Sequence, residues 1–255
     1  MKPNRLKELH SNGRCAIAGW ASIASPFSVE LLGHGGCDAV VVDLQHGPFS
    51  MDAGVVMLHA ASATPAVPLA RVSGNHFAEI GKVLDAGAYG VICPLVDDAG
   101  QARAFVQAVR YPPRGGRSFG PARGLLVGGK DYFDAAGDTV LALAMIETQA
   151  GMDALDDILA VDGLDGVFVG PGDLSIALTG RPQFDWRTDP MARALARVRD
   201  ASRRAGRYAG IWCVDGAMAA DMARAGWDLV APGHDAGMLQ AELGVRVRQV
   251  RDAIG

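Results

Sequence analysis

Short apolar runs alternate with longer amphipathic stretches along the whole chain. Several runs are apolar without interruption, such as Ala-Val-Val-Val at 39–42 and Gly-Val-Phe-Val at 166–169. Uninterrupted runs are typical of parallel strands that are covered on both faces. The pattern predicts eight strands, at residues 15–20, 39–43, 66–71, 90–94, 140–147, 166–170, 208–213 and 228–233.

Helix-like stretches lie between these strands and set the fold class. They occupy residues 25–32, 51–61, 76–86, 99–110, 152–160, 191–205, 218–225 and 237–254. Glycine follows the last predicted turn at Gly87, Gly206 and Gly226, where a left-handed cap is favoured. Eight strand–helix units without a break predict an α/β fold, a (β/α)₈ TIM barrel, in which residues 1–255 form a single domain.

One segment departs from this rhythm. Residues 111–138 contain Pro112 and Pro113, several glycines and three arginines. A long irregular connection inside a barrel is usually functional. We therefore expect this insert, between the fourth and fifth strands, to be an active-site loop or a subunit contact.

Composition narrows the function classes. The net charge is −4, and the 24 basic residues form no stripe with interleaved aromatics, so no nucleic-acid partner is expected. No apolar run reaches the roughly 20 residues that span a bilayer, and the charged N-terminus lacks the apolar core of a signal peptide. We expect a cytoplasmic protein without a membrane partner. The four cysteines form no Cys-x-x-Cys pair and are expected to be free thiols.

Charged residues follow the predicted strands at the end where barrel enzymes carry their active sites. The second strand ends at Asp43, shortly before His46, the third at Arg71 and the fifth at Glu147, and the sixth runs into Asp173. Charges directly after apolar strands are costly to bury without a use. We therefore expect these side chains, Asp43 included, to converge on one catalytic face.

Glu147 and Asp173 end adjacent strands and are the candidate metal ligands. Hard oxygen ligands favour Mg²⁺ or Mn²⁺ over zinc, and Co²⁺ stays open. Two carboxylates alone bind a divalent ion weakly, so water and a chelating 2-oxo acid would complete the coordination. The alternative is that one carboxylate forms a salt bridge and the other caps a helix.

Two further features suit a 2-oxo acid substrate. The Gly-Pro-Gly turn before Asp173 leaves backbone N–H groups open to an anion such as a carboxylate. An ordinary turn is the alternative. Arg71 would stabilise the enolate that C–C cleavage produces. A structural bridge from Arg71 to Asp43 or Glu147 is the alternative, and the two roles are compatible.

The histidines and lysines separate two kinds of aldolase chemistry. His46 is the candidate general base, because it lies just past a strand end in company with acids. His234, after the eighth strand, is a weaker candidate for substrate contact. A Schiff-base aldolase needs a desolvated lysine in its site. The lysines all lie outside the predicted strands, so covalent chemistry is not expected: Lys2, Lys7, Lys82 and Lys130.

Motifs spread over nearly the whole chain resemble those of the HpcH/HpaI aldolase family, the class II pyruvate aldolases. Each motif alone is short, but the combination is specific. They are Val-Asp-Leu-Gln-His-Gly at 42–47, Pro-Leu-Ala-Arg at 68–71, Val-Leu-Asp-Ala-Gly-Ala at 83–88, Arg-Tyr-Pro-Pro-Arg-Gly-Gly-Arg-Ser-Phe-Gly at 110–120, Ile-Glu-Thr at 146–148, Asp-Gly-Val-Phe-Val-Gly-Pro-Gly-Asp-Leu-Ser at 165–175 and Ala-Gly-Ile-Trp at 209–212.

The resemblance implies roles for six residues. The family's backbone contact to the substrate, near the second metal ligand, would fall on Gly172 and Asp173. The family's metal ligands match Glu147 and Asp173, its base matches His46 and its enolate-stabilising arginine matches Arg71. An aspartate that raises the basicity of the histidine matches Asp85, which the predicted helices place away from the metal face of its own barrel. Asp85 would then serve a neighbouring subunit. The resemblance also implies a homo-oligomer, a hexamer built as a trimer of dimers with exchanged C-terminal helices.

Two departures from the family's motifs bear on the substrate rather than on the reaction type. Gln45 stands where the family often has Glu before the histidine, which removes one negative charge. Met145 stands where some members have a substrate-contacting glutamine. Trp20, Trp212, Val214 and the insert are candidates for the pocket of the aldehyde, although aromatics near strand ends are as often core residues.

The expected reaction is metal-dependent, reversible retro-aldol cleavage of a 4-hydroxy-2-oxo acid to pyruvate, or hydroxypyruvate, and an aldehyde. A first alternative is a CoA-ester lyase of the citrate-lyase beta type, which would need a CoA site, and the sequence offers no basic cluster for one. A second alternative is a non-catalytic, metal-binding assembly protein.

Overall fold

The computed structural model describes residues 1–183 and 185–255 and contains a closed barrel of eight parallel strands in sequence order. The predicted (β/α)₈ barrel is confirmed, and every predicted strand agrees with the observed one to within one residue at either end. The strands are β1 Ala16–Ala21, β2 Ala39–Asp43, β3 Val67–Arg71, β4 Gly90–Cys93, β5 Leu141–Ile146, β6 Gly166–Val169, β7 Tyr208–Cys213 and β8 Leu229–Pro232.

Apolar side chains cover both faces of the strands, which explains why the runs in the sequence do not alternate. Trp20, Leu69 and Phe168 belong to the cluster that fills the barrel. Val40 and Val42 belong to a second cluster, which packs beneath the surrounding helices. Because successive residues of a strand serve different clusters, each strand is apolar throughout until its carboxyl end.

Helices surround the barrel and connect its strands. None in the described part of the chain is long and apolar enough to cross a membrane. The helices are α1 Arg5–Ser11, α2 Pro26–His34, α3 Met51–Ser62, α4 Phe77–Asp85, α5 Ala99–Val109, α6 Ala122–Gly128, α7 Tyr132–Thr139, α8 Gln149–Asp153, α9 Leu155–Leu159, α10 Pro171–Thr179, α11 Met191–Arg204, α12 Gly216–Ala225 and α13 Asp235–Ile254.

Several helices differ from the sequence prediction. α1 was not predicted, and it buries Leu6 and Leu9 in the cluster that fills the barrel. The insert at 111–138 was expected to be irregular but contains α6 and α7, which are too short and glycine-rich to show a clear helical period. One predicted helix at 152–160 is two short helices, α8 and α9.

The C-terminal helix α13 packs differently from the others. Its first residue, Asp235, is its only buried one, and α13 leaves the barrel after its first turns. Large apolar side chains along one face are exposed, with Leu239 at 63%, Leu243 at 57% and Val250 at 60%. Their spacing at i, i+4 and i+11 is that of one helical ridge. One chain alone therefore leaves an apolar ridge in water.

Candidate active site

A cavity of about 520 Å³ opens at the carboxyl ends of the strands. Asp43, His46, Arg71 and Asp173, which the sequence predicted to converge, all line it. The full lining is Trp20, Ser22, Ile23, Ala24, Asp43, His46, Pro48, Arg71, Gly170, Pro171, Gly172, Asp173, Trp212, His234 and Ala236.

Asp43 and Arg71 form a buried pair in the wall of this cavity. Arg71 donates from Nε to Asp43 Oδ1 at 2.9 Å and from Nη2 to Oδ2 at 2.5 Å. Trp20 Nε1 donates to Asp43 Oδ2 at 3.0 Å, and the Arg71 guanidinium lies 4.9 Å from the Trp20 ring centroid. Burial would raise the pKa of Asp43, but the hydrogen bonds and charge of Arg71 outweigh burial and lower that pKa. The predicted bridge between Arg71 and Asp43 is therefore present.

Glu147 follows β5 and is only 2% exposed. Its Oε1 accepts a hydrogen bond from Leu95 N at 2.9 Å, whereas its Oε2 is buried without a partner among the described residues. Burial raises the pKa of Glu147 to about 7; the Leu95 N–H opposes this shift, and the negative charge of Asp173 adds to it. A buried carboxylate oxygen without a donor is costly unless a cation satisfies it.

Asp173 and Gly172 lie in the first turn of α10. The Asp173 carboxylate is exposed to the cavity and makes no hydrogen bond or ion pair with the described residues. Gly170 precedes the helix without a side-chain cap, and a Cβ at this position would overlap Glu147 Oε2. The absence of a side chain at position 170 thus leaves room for the Glu147 carboxylate close to the start of α10, where Asp173 lies. The N–H groups of the first turn have no partner within the helix, and they border the cavity that an anion would enter.

Glu147 and Asp173 are the carboxylates that the sequence predicted as metal ligands. No group of three or more histidine, cysteine, aspartate or glutamate side chains suited to a metal occurs within residues 1–183 and 185–255. The pair nevertheless fits a hard divalent cation, because Glu147 Oε2 and the Asp173 carboxylate have no partner among the described residues and the cavity leaves room for water or substrate oxygens. Within the described part of the chain neither carboxylate forms a salt bridge, and no side chain caps α10.

His46 is exposed in the cavity wall, just after β2. Its backbone N–H donates to Asp43 Oδ1 at 3.2 Å, which ties the loop to the Asp43–Arg71 pair. Its imidazole makes no hydrogen bond with any described residue of the same chain. A ring in this position is free to accept a proton from a bound substrate.

Asp85 does not reach this cavity. It ends α4, as predicted, and Arg117 Nη2 donates to its Oδ1 at 2.7 Å. The same nitrogen donates to Tyr132 Oη at 3.0 Å, and the guanidinium lies 4.6 Å from the Tyr111 ring centroid. Arg117 Nε and Nη1 and Tyr111 Oη are buried without partners in the described chain. The insert thus holds Asp85 away from the site of its own barrel.

The two predicted tryptophan contacts differ in position. Trp20 is 2% exposed and is held by Asp43, so it forms part of the floor. Trp212 is partly exposed in the cavity, where its ring stacks on His234 with centroids 6.3 Å apart. Two further residues beside His234, Ser22 and Asp235, were not predicted from the sequence; the Ser22 hydroxyl donates a hydrogen bond to the Asp235 carboxylate. A polar run directly after β8 was the available signal.

Comparisons with known proteins identify the family of this chain. A sequence profile of the HpcH/HpaI aldolase/citrate lyase family matches residues 17–241. The chain belongs to this family. Its members include a hydroxypyruvate/pyruvate aldolase of Rhizorhabdus wittichii, 40% identical over 93% of this chain and 95% of the relative. A 4-hydroxy-2-oxo-heptane-1,7-dioate aldolase of Salmonella dublin is 35% identical over 92% of this chain and 90% of its own.

A solved structure agrees with this assignment. An HpcH/HpaI aldolase/citrate lyase family protein from Burkholderia cenocepacia superposes with a TM-score of 0.90 at 29% identity and covers 97% of this chain and 99% of its own. The predicted family is confirmed, as is the prediction of an aldolase-type carbon–carbon lyase.

The two departures from the family's motifs lie close to the site. Gln45 Oε1 is buried without a hydrogen-bond partner among the described residues. Met145 is 1% exposed, and its methyl group lies so close to Gly170 that a Cβ there would come within 2.9 Å of it. Neither side chain is among those that line the cavity.

Proposed function

We propose that this family member is a divalent-metal-dependent aldolase that cleaves a 4-hydroxy-2-oxo acid, reversibly, to pyruvate or hydroxypyruvate and an aldehyde. The observation that carries this proposal is Glu147 Oε2, a buried carboxylate oxygen near the carboxylate of Asp173; neither has a donor among the residues that the structure describes. Arg71 and His46 line the adjoining cavity. The names of the two aldolase relatives support the same substrate class.

Glu147 and Asp173 would hold the cation. Two carboxylates and no nitrogen or sulfur ligand favour Mg²⁺ or Mn²⁺, and Co²⁺ is a further candidate. When bound, the cation supplies Lewis-acid polarisation of the 2-oxo group. The open N–H groups at Gly172 and Asp173 would receive the substrate carboxylate at the positive end of α10.

Arg71 would orient the oxo acid and stabilise developing charge. Its Nε and Nη2 are committed to Asp43, so the guanidinium is fixed while Nη1 stays free of partners in the described chain. A fixed donor needs no reorganisation when negative charge moves onto the oxygen at C2, which is the advantage of a preorganised site.

His46 would act as the base. Its free imidazole accepts the proton of the C4 hydroxyl, the C3–C4 bond breaks, and C4 leaves as the aldehyde carbon. The bonding electron pair moves to C3 and the C2 oxygen beside Arg71. Return of a proton to C3 then gives pyruvate, or hydroxypyruvate when C3 carries a hydroxyl group.

Asp85 would support this base across a subunit boundary. His46 has no carboxylate partner among the described residues of its own chain. Asp85 is 37% exposed, and the insert that contacts it also carries the exposed Phe119 and Phe133. A carboxylate beside an imidazole raises its basicity. In this arrangement each active site is complete only when a second copy is bound.

The C-terminal helix α13 would contribute to the same assembly. Its apolar ridge, which includes Leu239, Leu243 and Val250, has no cover in one chain. We propose that a second copy covers it by helix exchange, in a hexamer arranged as a trimer of dimers. Leu243→Asp should lower the mass measured by light scattering, whereas Glu242→Gln should not. An unchanged mass for the Leu243 variant would contradict this interface.

The proposed reaction is tested by metal removal and return. After EDTA treatment, pyruvate release from a panel of 4-hydroxy-2-oxo acids should stop, and Mg²⁺ or Mn²⁺ should restore it, with no inactivation by borohydride. Binding of Mn²⁺, followed by its electron paramagnetic resonance signal, should be lost in Glu147→Gln and kept in Glu30→Gln, whose carboxylate is exposed on α2.

Other outcomes point elsewhere. Full metal-dependent turnover by the Glu147 variant would overturn the ligand assignment. Cleavage of malyl-CoA without cleavage of any 4-hydroxy-2-oxo acid would indicate a CoA-ester lyase instead. Metal binding without turnover of either class would indicate a non-catalytic protein.

A further inference from the structure

A second histidine, His234, lines the cavity apart from the groups assigned to the oxo acid. It is the N-cap residue of α13, and Gly237 N donates to its Nδ1 at 3.2 Å. Ser22 Oγ lies 3.0 Å from the same nitrogen. The proposed reaction gives this residue no role.

Two contacts meet at Nδ1 of His234 and occupy that nitrogen. The Gly237 N–H can only donate to it, whereas Ser22 Oγ, whose own proton goes to Asp235 Oδ1, can only accept from it. In either tautomer of the ring, Nε2 is therefore the nitrogen left for a bound molecule, as a donor in one tautomer and as an acceptor in the other.

The buried carboxylate of Asp235 fixes the position of the ring. It accepts from Ser22 N at 2.8 Å, from Ser28 Oγ at 2.6 Å and from Ala236 N at 2.9 Å. These bonds join the loop after β1 to the start of α13. Because these hydrogen bonds hold Asp235 in place, the neighbouring His234 has little conformational freedom. The Trp212 ring also stacks on the His234 ring.

The Nε2 atom of His234 has no hydrogen-bond partner among residues 1–183 and 185–255. Gly237 lies beneath it, where a Cβ would come within 3.1 Å of Nε2, so glycine leaves this edge of the ring open. The neighbouring wall, at Ile23 and Ala236, is apolar. A single oriented polar atom in an apolar wall discriminates strongly between ligands with and without a hydroxyl group at that point.

We infer that His234 is a specificity-determining residue for the aldehyde half of the substrate, and that its Nε2 forms a hydrogen bond with a hydroxyl group next to the aldehyde carbon, which can both donate and accept. The oxo-acid half is assigned to Glu147, Asp173 and Arg71, which leaves the aldehyde half for this wall. The inference rests on the proposed aldolase reaction. The substrate class it names is a 4,5-dihydroxy-2-oxo acid, the adduct of an α-hydroxyaldehyde.

Two substrates of nearly equal size test this inference. 4,5-Dihydroxy-2-oxopentanoate and 4-hydroxy-2-oxohexanoate differ in a hydroxyl against a methyl group, and both release pyruvate. The measured quantity is the ratio of their kcat/KM values. His234→Asn keeps an oxygen that can cap α13 but has no polar atom at the Nε2 position, whereas His234→Gln places an amide group there.

We expect the ratio to fall about tenfold in His234→Asn, the size of one lost hydrogen bond, and to stay within about threefold of wild type in His234→Gln. His234→Phe, which keeps a ring against Trp212, replaces the Asn variant if thermal unfolding shows that the latter does not fold. An unchanged ratio in the variants that lack a polar atom at the Nε2 position would overturn the inference and leave His234 as a helix cap. Wild-type protein that cleaves neither compound would instead overturn the proposed reaction.

Discussion

Two aspartate–arginine pairs of this barrel are both largely buried, yet one is complete and the other is not. In the pair at the ends of β2 and β3, Asp43 and Arg71 are 3% and 10% exposed, and two hydrogen bonds join them. In the pair beside the insert, Arg117 is 1% exposed and Asp85 is 37% exposed, and one hydrogen bond joins them.

The comparison distinguishes polar groups that are hydrogen-bonded within a single chain from polar groups whose partners we expect in a second copy. Asp43 is also bonded to Trp20 and to the backbone of the His46 loop. Arg117, by contrast, leaves Nε and Nη1 without partners in the described chain. Because buried polar groups are nearly always paired, the incomplete pair marks the surface where we propose that a second copy binds.

The largest effect is expected from breaking the complete pair. Arg71→Ala leaves the Asp43 carboxylate buried without a counter-charge, so we expect the free energy of unfolding to fall by about 3 kcal/mol. The kcat value should fall by at least about a hundredfold, because a fixed charge donor is lost. Urea unfolding and steady-state kinetics below the unfolding temperature measure the two. A kcat within a few-fold of wild type would remove Arg71 from the reaction.

The next largest effect is expected from the pair beside the insert, Asp85 and Arg117, here called the outer pair. It tests whether Asp85 serves the active site of a neighbouring subunit. Asp85→Asn can still accept a hydrogen bond from Arg117 but loses the charge, and we expect kcat to fall by about a hundredfold. His46→Ala should also be inactive. Unfolding and refolding the two variants together at equal amounts should restore activity to about a quarter of the sites, because each subunit then supplies what the other lacks.

A mixture that stays inactive, although both variants form mixed oligomers, would contradict the shared site. The control is each variant refolded alone, which should remain inactive. Recovery in that control would show that refolding itself changes activity.

A smaller effect is expected when the outer pair keeps its charge but loses its geometry. Arg117→Lys places a flexible ammonium where the planar guanidinium held Asp85 and Tyr132, so we expect kcat to fall about tenfold with little change in KM. Arg114→Lys is the matched control, since Arg114 is half exposed and pairs with the exposed Asp138. Equal losses in both variants would assign the effect to the insert as a whole.

The smallest effect is expected from Tyr132→Phe. This change removes the hydroxyl bonded to Arg117 at 3.0 Å and leaves the contact with Asp85 in place. We expect a loss of about 1 kcal/mol in the free energy of unfolding and less than about a threefold change in kcat. A loss of activity as large as that of Asp85→Asn would mean that the hydroxyl, rather than the ion pair, orients Asp85.

The barrel was predictable because its strands are buried on both faces. Continuous apolar runs from β1 to β8 identify such strands without knowledge of their partners, and the polar residues that end them mark the catalytic face. The helices of the insert could not be predicted from the apolar pattern. Both α6 and α7 are short, and apolar residues such as Leu126 and Phe133 are exposed rather than arranged on one buried face.

The sequence by itself determined the fold, the family and the set of residues at the strand ends, because strand periodicity and motif spacing are local properties of the chain. Only the tertiary structure decided how these groups are paired. In the folded barrel Arg71 is hydrogen-bonded to Asp43, Glu147 Oε2 has no donor among the described residues, and His234 lines the cavity. Pairing depends on distances between residues far apart in the chain, and those distances exist only once the barrel has closed.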